Sequence, residues 1–317
     1  MEHRSFSLFL SNLSRALQSF RSHSKMMRVF SAMQLAARQC EFNESGLTEN
    51  IKRLKEQTTI LSPFRNENLL PVSSLALPFP DREGQMKKII NRYADLKEAG
   101  FKRSSYLPYV SGYLASKETD GTPSVKTELI YSYYKTMKKE HFWLTSGEDA
   151  IFAAMLARFH SNIKHTTRNI EHFYHILNKT GYKRGQSLQT ISHMATLLKW
   201  EPIKTSEAIL LCHDTFKSNG IVMQTQAQPL IALLAASRQP AELMVQSVKE
   251  KMEALEKVKG MGKWSVGNRF RALFGTVFTA LEMDDTEQIE DIVLAIAYNS
   301  IMYTILSQQA ASSSAST

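Results

Sequence analysis

The segment LKEAGFKRSSYLPYVSGYLA at residues 96–115 returns as LNKTGYKRGQSLQTISHMAT at residues 177–196. At an offset of 81 residues, Leu96, Gly100, Lys102, Arg103, Leu107 and Ser111 fall on Leu177, Gly181, Lys183, Arg184, Leu188 and Ser192. Further along, TMKKEHFWLTSGEDAIFAAMLA (136–157) overlies TFKSNGIVMQTQAQPLIALLAA (215–236) at an offset of 79. A third, weaker copy, GMGK at 260–263, places the recurring glycine at 100, 181 and 260. Self-similarity at a fixed period marks supersecondary units that cannot cover their own apolar faces and must stack. A period of roughly 80 residues is longer than usual and implies several helices per unit.

Local chemistry gives each unit its internal order. A glycine after a helical run, followed by an apolar residue, fits a Schellman end: glycine takes the left-handed conformation and the next residue packs back on the last turn. Here the packing residues are Phe101, Tyr182 and Met261, set against Leu96, Leu177 and Leu255. Lysine and arginine just beyond complement the negative helix end, and Ser104 or Ser105 can cap the helix that follows. TSGE at 145–148 reads as a capping box with Asp149 adding charge to the first turn. Pro229, in the place of Ala150, suits a first helical turn. Third helices are expected at 128–139 and 207–217. No period-2 alternation bounded by turn residues appears. The expected fold is all-α, an α-solenoid-like stack of about four imperfect units.

On this reading residues 1–25 form an amphipathic helix and 26–80 a degenerate leading unit. Clear units follow at 85–160 and 165–240, then a trailing unit at 244–306 and a flexible tail at 307–317. The prolines at 78 and 80, with Asp81 and Gly84, mark the best interior boundary. The acidic cluster from Glu282 to Asp291 favours the N-terminus of the last helix.

Composition narrows the class of function. With 39 Lys and Arg against 30 Asp and Glu, the chain carries +9 and leans toward acidic partners. Only Cys40 and Cys212 are present, which excludes a disulfide scaffold and points to a reducing compartment, the cytoplasm. The most apolar stretch, residues 292–306, falls short of the about 20 residues a membrane span needs, and reads as a buried closing helix. Between Glu2 and Glu41 no acidic residue occurs, while arginine and serine abound. Such a start resembles an organelle transit peptide. The plainer reading, which we adopt, is a first helix whose stripe of Phe6, Phe9, Leu10, Leu13, Leu17 and Phe20 packs on the next one.

The runs MKKEHFWLTSGEDAIFAAMLA (137–157), GFKRSSYL (100–107) and ILSQQAASSSA (305–315) resemble a bacterial family of unknown function found mainly in low-GC Gram-positive species. The likeness extends from about residue 26 to the C-terminus, and Leu-Thr-Ser-x-Glu-Asp is its most specific block. It implies a cytoplasmic, helical, single-unit protein and carries no activity or site residues with it.

No catalytic signature stands out, and no cofactor is implied. His213 and Asp214 resemble the His-Asp pair of all-helical metal-dependent phosphohydrolases, in which a metal activates water. His172, His175 or His193 would supply a further ligand, and Asp284 or Asp285 the last. However, Phe216 stands where that motif has glycine, and the first copy has Tyr134 and Lys135 at the matching places. His160, His165, His172 and His175 with Glu171 lack a second ligand pair at zinc spacing. Residues 258–265 (VKGMGKWS) resemble the hairpin of helix-hairpin-helix modules, whose glycine amides and lysine hold backbone phosphate. Tyr131, Tyr133, Tyr134, Phe142 and Trp143 are aromatic enough for a peptide groove, though such stripes usually form core. The feature that repeats is cationic: Lys102, Arg103, Lys183, Arg184 and Lys263 recur at one place in successive units. They read as a basic edge of a binding scaffold, for an acidic protein or another polyanion such as nucleic acid.

Overall fold

The structure, a computed structural model, describes residues 4–118, 125–141, 143–262 and 264–314. Among the described residues every regular element is helical and no strand occurs. Seven hairpins follow one another: α1 (Arg4–Gln18) with α2 (Lys25–Ala37), α3 (Glu44–Glu56) with α4 (Leu69–Leu75), α5 (Arg82–Glu98) with α6 (Leu107–Ser116), and α7 (Thr127–Glu140) with α8 (Ala150–Phe159). Then come α9 (Ile163–Lys179) with α10 (Gln186–Leu197), α11 (Pro202–Ser218) with α12 (Pro229–Ala236), and α13 (Ala241–Glu256) with α14 (Gly267–Met283). A last helix, α15 (Glu287–Ser314), has no hairpin partner.

The two members of a hairpin differ in pattern, and the pattern decides their layer. The first member is amphipathic: α9 buries Ile170, Phe173, Tyr174 and Leu177, an i, i+3, i+4, i+7 stripe, and leaves its other sides exposed. The second member is apolar or small on nearly every side, so α10 is buried from Ser187 to Leu197 and α8 from Ala150 to Ala157. A helix apolar all round belongs inside. These inner helices touch in chain order from α2 to α14, and α1 packs on α14, so the run of contacts returns to its start. Phe9 of α1 stacks on Phe278 of α14 at 4.7 Å, and Phe6 lies 5.4 Å from Phe278. Of the N-terminal stripe, Phe6, Phe9 and Leu13 are core, and Leu10, Leu17 and Phe20 are half-buried against it.

α15 runs among the inner helices in the opposite direction. Its acidic start meets cations at the C-terminal ends of three of them: Arg38 lies 3.2 Å from Glu290, Lys117 2.6 Å from Asp291, and Arg158 3.1 Å from Glu287. Its later residues bond to the starts of inner helices. The Tyr298 hydroxyl reaches Asn68 and the carbonyl of Ser105, and Asn299 donates to the carbonyl of Glu148. Thr304 donates to Gln224, before α12. Helix-end charges and dipoles thus agree along its length.

Several local expectations are corrected. Gly100 (φ +113°) and Gly181 (φ +110°) do form Schellman ends, with Phe101 N donating to Leu96 O and Tyr182 N to Leu177 O. Gly260 takes φ +92°, but α13 has already ended at Glu256. There the buried guanidinium of Arg271 takes the Met261 carbonyl at 2.9 Å and pairs with Glu256, which holds a longer turn open. The capping box lies one residue on: Ser146 is the cap and Asp149 accepts from its amide, because the Thr145 hydroxyl donates to Met137 O. Tyr106, not a serine, begins α6. Of the expected flexible tail at 307–317, residues 307–314 are exposed and continue α15, with serine hydroxyls returning to carbonyls three residues back, and residues 315–317 lie outside the described residues.

Candidate functional site

Loops that lead from an outer helix into an inner one share one end of the molecule. Lys25, at the start of α2, bonds to Ser265 before α14 at 2.6 Å. Asn68 before α4 donates to Ser105 before α6, and both bond to Tyr298. Gly147, in the α7–α8 loop, packs on Ser104 and Tyr106, while Asp149 accepts from Gln186 at the start of α10.

The repeated cations lie on this end. Lys102 and Arg103 follow the α5 Schellman turn, Lys183 and Arg184 follow that of α9, and all four are exposed. Among the described residues none of them forms an ion pair; Arg184 donates instead to Asn178 at 3.1 Å. Lys263 lies outside the described residues. At the opposite end the corresponding cations Arg38, Lys117 and Arg158 are neutralised by the acids of α15. Sequence order alone did not show this contrast, since each pairing spans more than a hundred residues.

More positive charge gathers beside the α5–α6 loop. Arg103 lines a cleft of about 440 Å³ with Arg65, Glu67 and Gln309. A neighbouring cleft of about 500 Å³ joins Arg65 and Lys55 to His23 of the α1–α2 loop. Burial, helped by the charges of Lys55 and Arg28, holds His23 below the ordinary histidine range. Arg65 is also structural, donating to the carbonyls of Lys55, Thr58 and Thr59 and so clasping the α3–α4 loop.

The metal and groove readings do not assemble. His213 is half-buried on α11 with its ring edge-on to Tyr182 at 6.0 Å, and Asp214 is exposed. His172 and His175 are exposed; His193 is buried beside Phe152, and burial pushes it down to about 3, so it is neutral. Among the described residues no group of three His, Cys, Asp or Glu side chains is placed to hold a metal ion. Asp284 and Asp285 lie in the loop before α15, at the opposite end. Tyr133 is core, bonded to His160 O and Thr166, while Tyr131 and Tyr134 pack on Phe101. Phe142 lies outside the described residues. Trp143, by contrast, is 92% exposed.

Both cysteines are free thiols. One helix, α15, is long and apolar enough to cross a bilayer by length and composition alone, yet 78% of its most apolar stretch is buried inside the protein.

No solved structure matches the chain. It is similar to the uncharacterized protein YeaA of Bacillus subtilis (strain 168), 23% identical over 180 residues, covering 56% of this chain and 54% of that protein. The chain thus spans about half the length of that relative. A family model described as a protein of unknown function, DUF4003, matches residues 12–310, and on that match the chain belongs to this family.

Proposed function

We propose that this protein is a non-enzymatic binding scaffold of the cytoplasm, a repeat-built array of helical hairpins that holds a polyanionic partner at its basic end. The exposed set Lys102, Arg103, Lys183 and Arg184 carries the reading: it recurs after two outer helices with no ion pair among the described residues, whereas Arg38, Lys117 and Arg158 at the other end are paired with the acids of α15. Exposed charges without partners attract an opposite charge over about 8–10 Å at moderate salt. Clefts beside Arg65 and Arg103 would receive single anionic groups.

Binding to immobilised heparin and to duplex DNA at increasing salt tests it. The native protein is expected to bind at low salt and to elute steadily as salt rises. Reversing Lys102, Arg103, Lys183 and Arg184 to Glu should abolish retention, whereas reversing exposed lysines on the outer helices, such as Lys87 and Lys204, should leave most of it. Equal retention of both variants would refute the assignment of the surface.

A further inference from the structure

The same basic end also carries the most exposed apolar side chains among the described residues. Trp264 is fully exposed, Trp143 92%, Ile60 86% and Leu61 78%; no other large apolar side chain described exceeds 67%. Single exposed apolar residues need no explanation. Here the four extremes all sit in outer-to-inner loops: Ile60 and Leu61 between α3 and α4, Trp143 between α7 and α8, and Trp264 between α13 and α14. None of the four lies on the other end or on an outer helix face.

Each tip is presented by a braced turn. Arg65 clasps the loop that bears Ile60 and Leu61 through three carbonyls. Trp143 precedes the Ser146 and Asp149 cap, and Thr145 is tied back to Met137. Beside Trp264, Ser265 accepts from Lys25 and donates to the carbonyl of Gly260. Cations flank two of these loops: Lys55 and Arg65, with Glu67, line the cleft beside Ile60, and Lys25 bonds to Ser265 next to Trp264. The end of α15 emerges among these loops, and no carboxylate side chain follows Asp291 in the sequence.

We propose that this end docks on an anionic phospholipid bilayer, with Ile60, Leu61, Trp143 and Trp264 entering the interface and the surrounding lysines and arginines meeting the headgroups. The inference rests on the polyanion reading and narrows its partner. Separate tips on three loops do not match one protein pocket, which would ask for a contiguous patch. Nucleic acid would stack on tryptophan but has no use for the aliphatic pair. A fluid, flat, negative surface takes all of them at once, since tryptophan favours the headgroup level and apolar area plus basic charge sets the strength of interfacial binding.

Flotation with vesicles of phosphatidylglycerol and phosphatidylcholine, against phosphatidylcholine alone, is the test. The native protein should float with the anionic vesicles only, and its tryptophan emission should shift to the blue on binding. Trp264→Ser, Trp143→Ser and the double change Ile60→Ser with Leu61→Ser should each weaken vesicle binding about tenfold. All three should keep native heparin retention and native helix content. Native heparin retention without vesicle binding, or vesicle binding undiminished when all four tips are replaced, would overturn this inference and leave the polyanion reading standing. Duplex DNA binding that falls with Trp143 and Trp264 while vesicles are ignored would overturn it in favour of nucleic acid. Heparin retention unchanged by the four charge reversals would instead bring down the reading beneath it.

Discussion

A Cβ built on Gly181 meets nothing within 4 Å, whereas one on Gly100 would lie 2.8 Å from the ring of Tyr131. Both residues hold a φ near +110°, which L side chains avoid, so either replacement by alanine is strained. For Gly181→Ala the strain stands alone, and a loss of roughly 1–2 kcal/mol is expected. Gly100→Ala must also push Tyr131 off Phe101, 5.2 Å away, adding roughly 1–3 kcal/mol of overpacking. Urea unfolding of the two variants checks the order; an equal loss would mean that the Tyr131 ring swings away freely. These two ends were legible because a Schellman turn is written in adjacent residues. The inner-helix ends at Gln39 and Lys199 were not, since they take φ +53° and +52° without glycine. Nor was the shift at Gly260, which depends on Arg271 arriving from the next helix.

At the start of α8 the cap residues join three elements. Asp149 accepts from the Ser146 amide at 2.8 Å and from Gln186 of α10 at 3.1 Å, and is 1% exposed. Burial, with the neighbouring Glu148, pushes its carboxyl up to about 8, against those two donors. An unfolded aspartate ionises near pH 3.9. Between about pH 4 and pH 8 the folded chain therefore holds a proton that the unfolded chain has released, and stability falls as pH rises through that window. Above pH 8 both are ionised and the loss is complete. Asp149→Asn resembles the protonated form, so its unfolding free energy should fall by less than that of the native protein between pH 5 and pH 8, by about 4 kcal/mol less. Glu148, raised by burial to about 6, keeps some of the slope in both proteins. Parallel pH profiles would show that Asp149 is ionised in the fold throughout. The sequence displayed a cap here but misplaced it by one residue, because the Thr145 hydroxyl is taken by Met137 and Gln189 from outside the local motif. The exposure of the basic pairs was readable from their place beyond a helix end. That Arg38, Lys117 and Arg158 at the other end are neutralised was not, because it depends on where the acids of α15 come to rest.

Over the whole molecule, the recurring segments raised the expectation that neighbouring units cover one another, and the lack of period-2 alternation the expectation of a helical fold. Neither announced what covers the last hairpin. That surface is met by the first helix, through Phe6 and Phe9 against Phe274 and Phe278, a contact between opposite ends of the chain that no local period encodes. The seam has a mechanical consequence. In an open stack, terminal helices fray independently and the far end does not respond. With the run of contacts returning to its start, loosening α1 uncovers α14. Phe9 is wholly buried, so Phe9→Ala should cost about 3–5 kcal/mol. Native-state hydrogen exchange should then show amides of α1 and of α14 losing protection together, although they stand at opposite ends of the sequence. As a control, Leu188→Ala in the interior of α10 is expected to cost about 2–5 kcal/mol without singling out that pair. If α1 alone lost protection in Phe9→Ala while α14 kept its native exchange rates, the first and last hairpins would be independent, and the closure would carry no share of the stability.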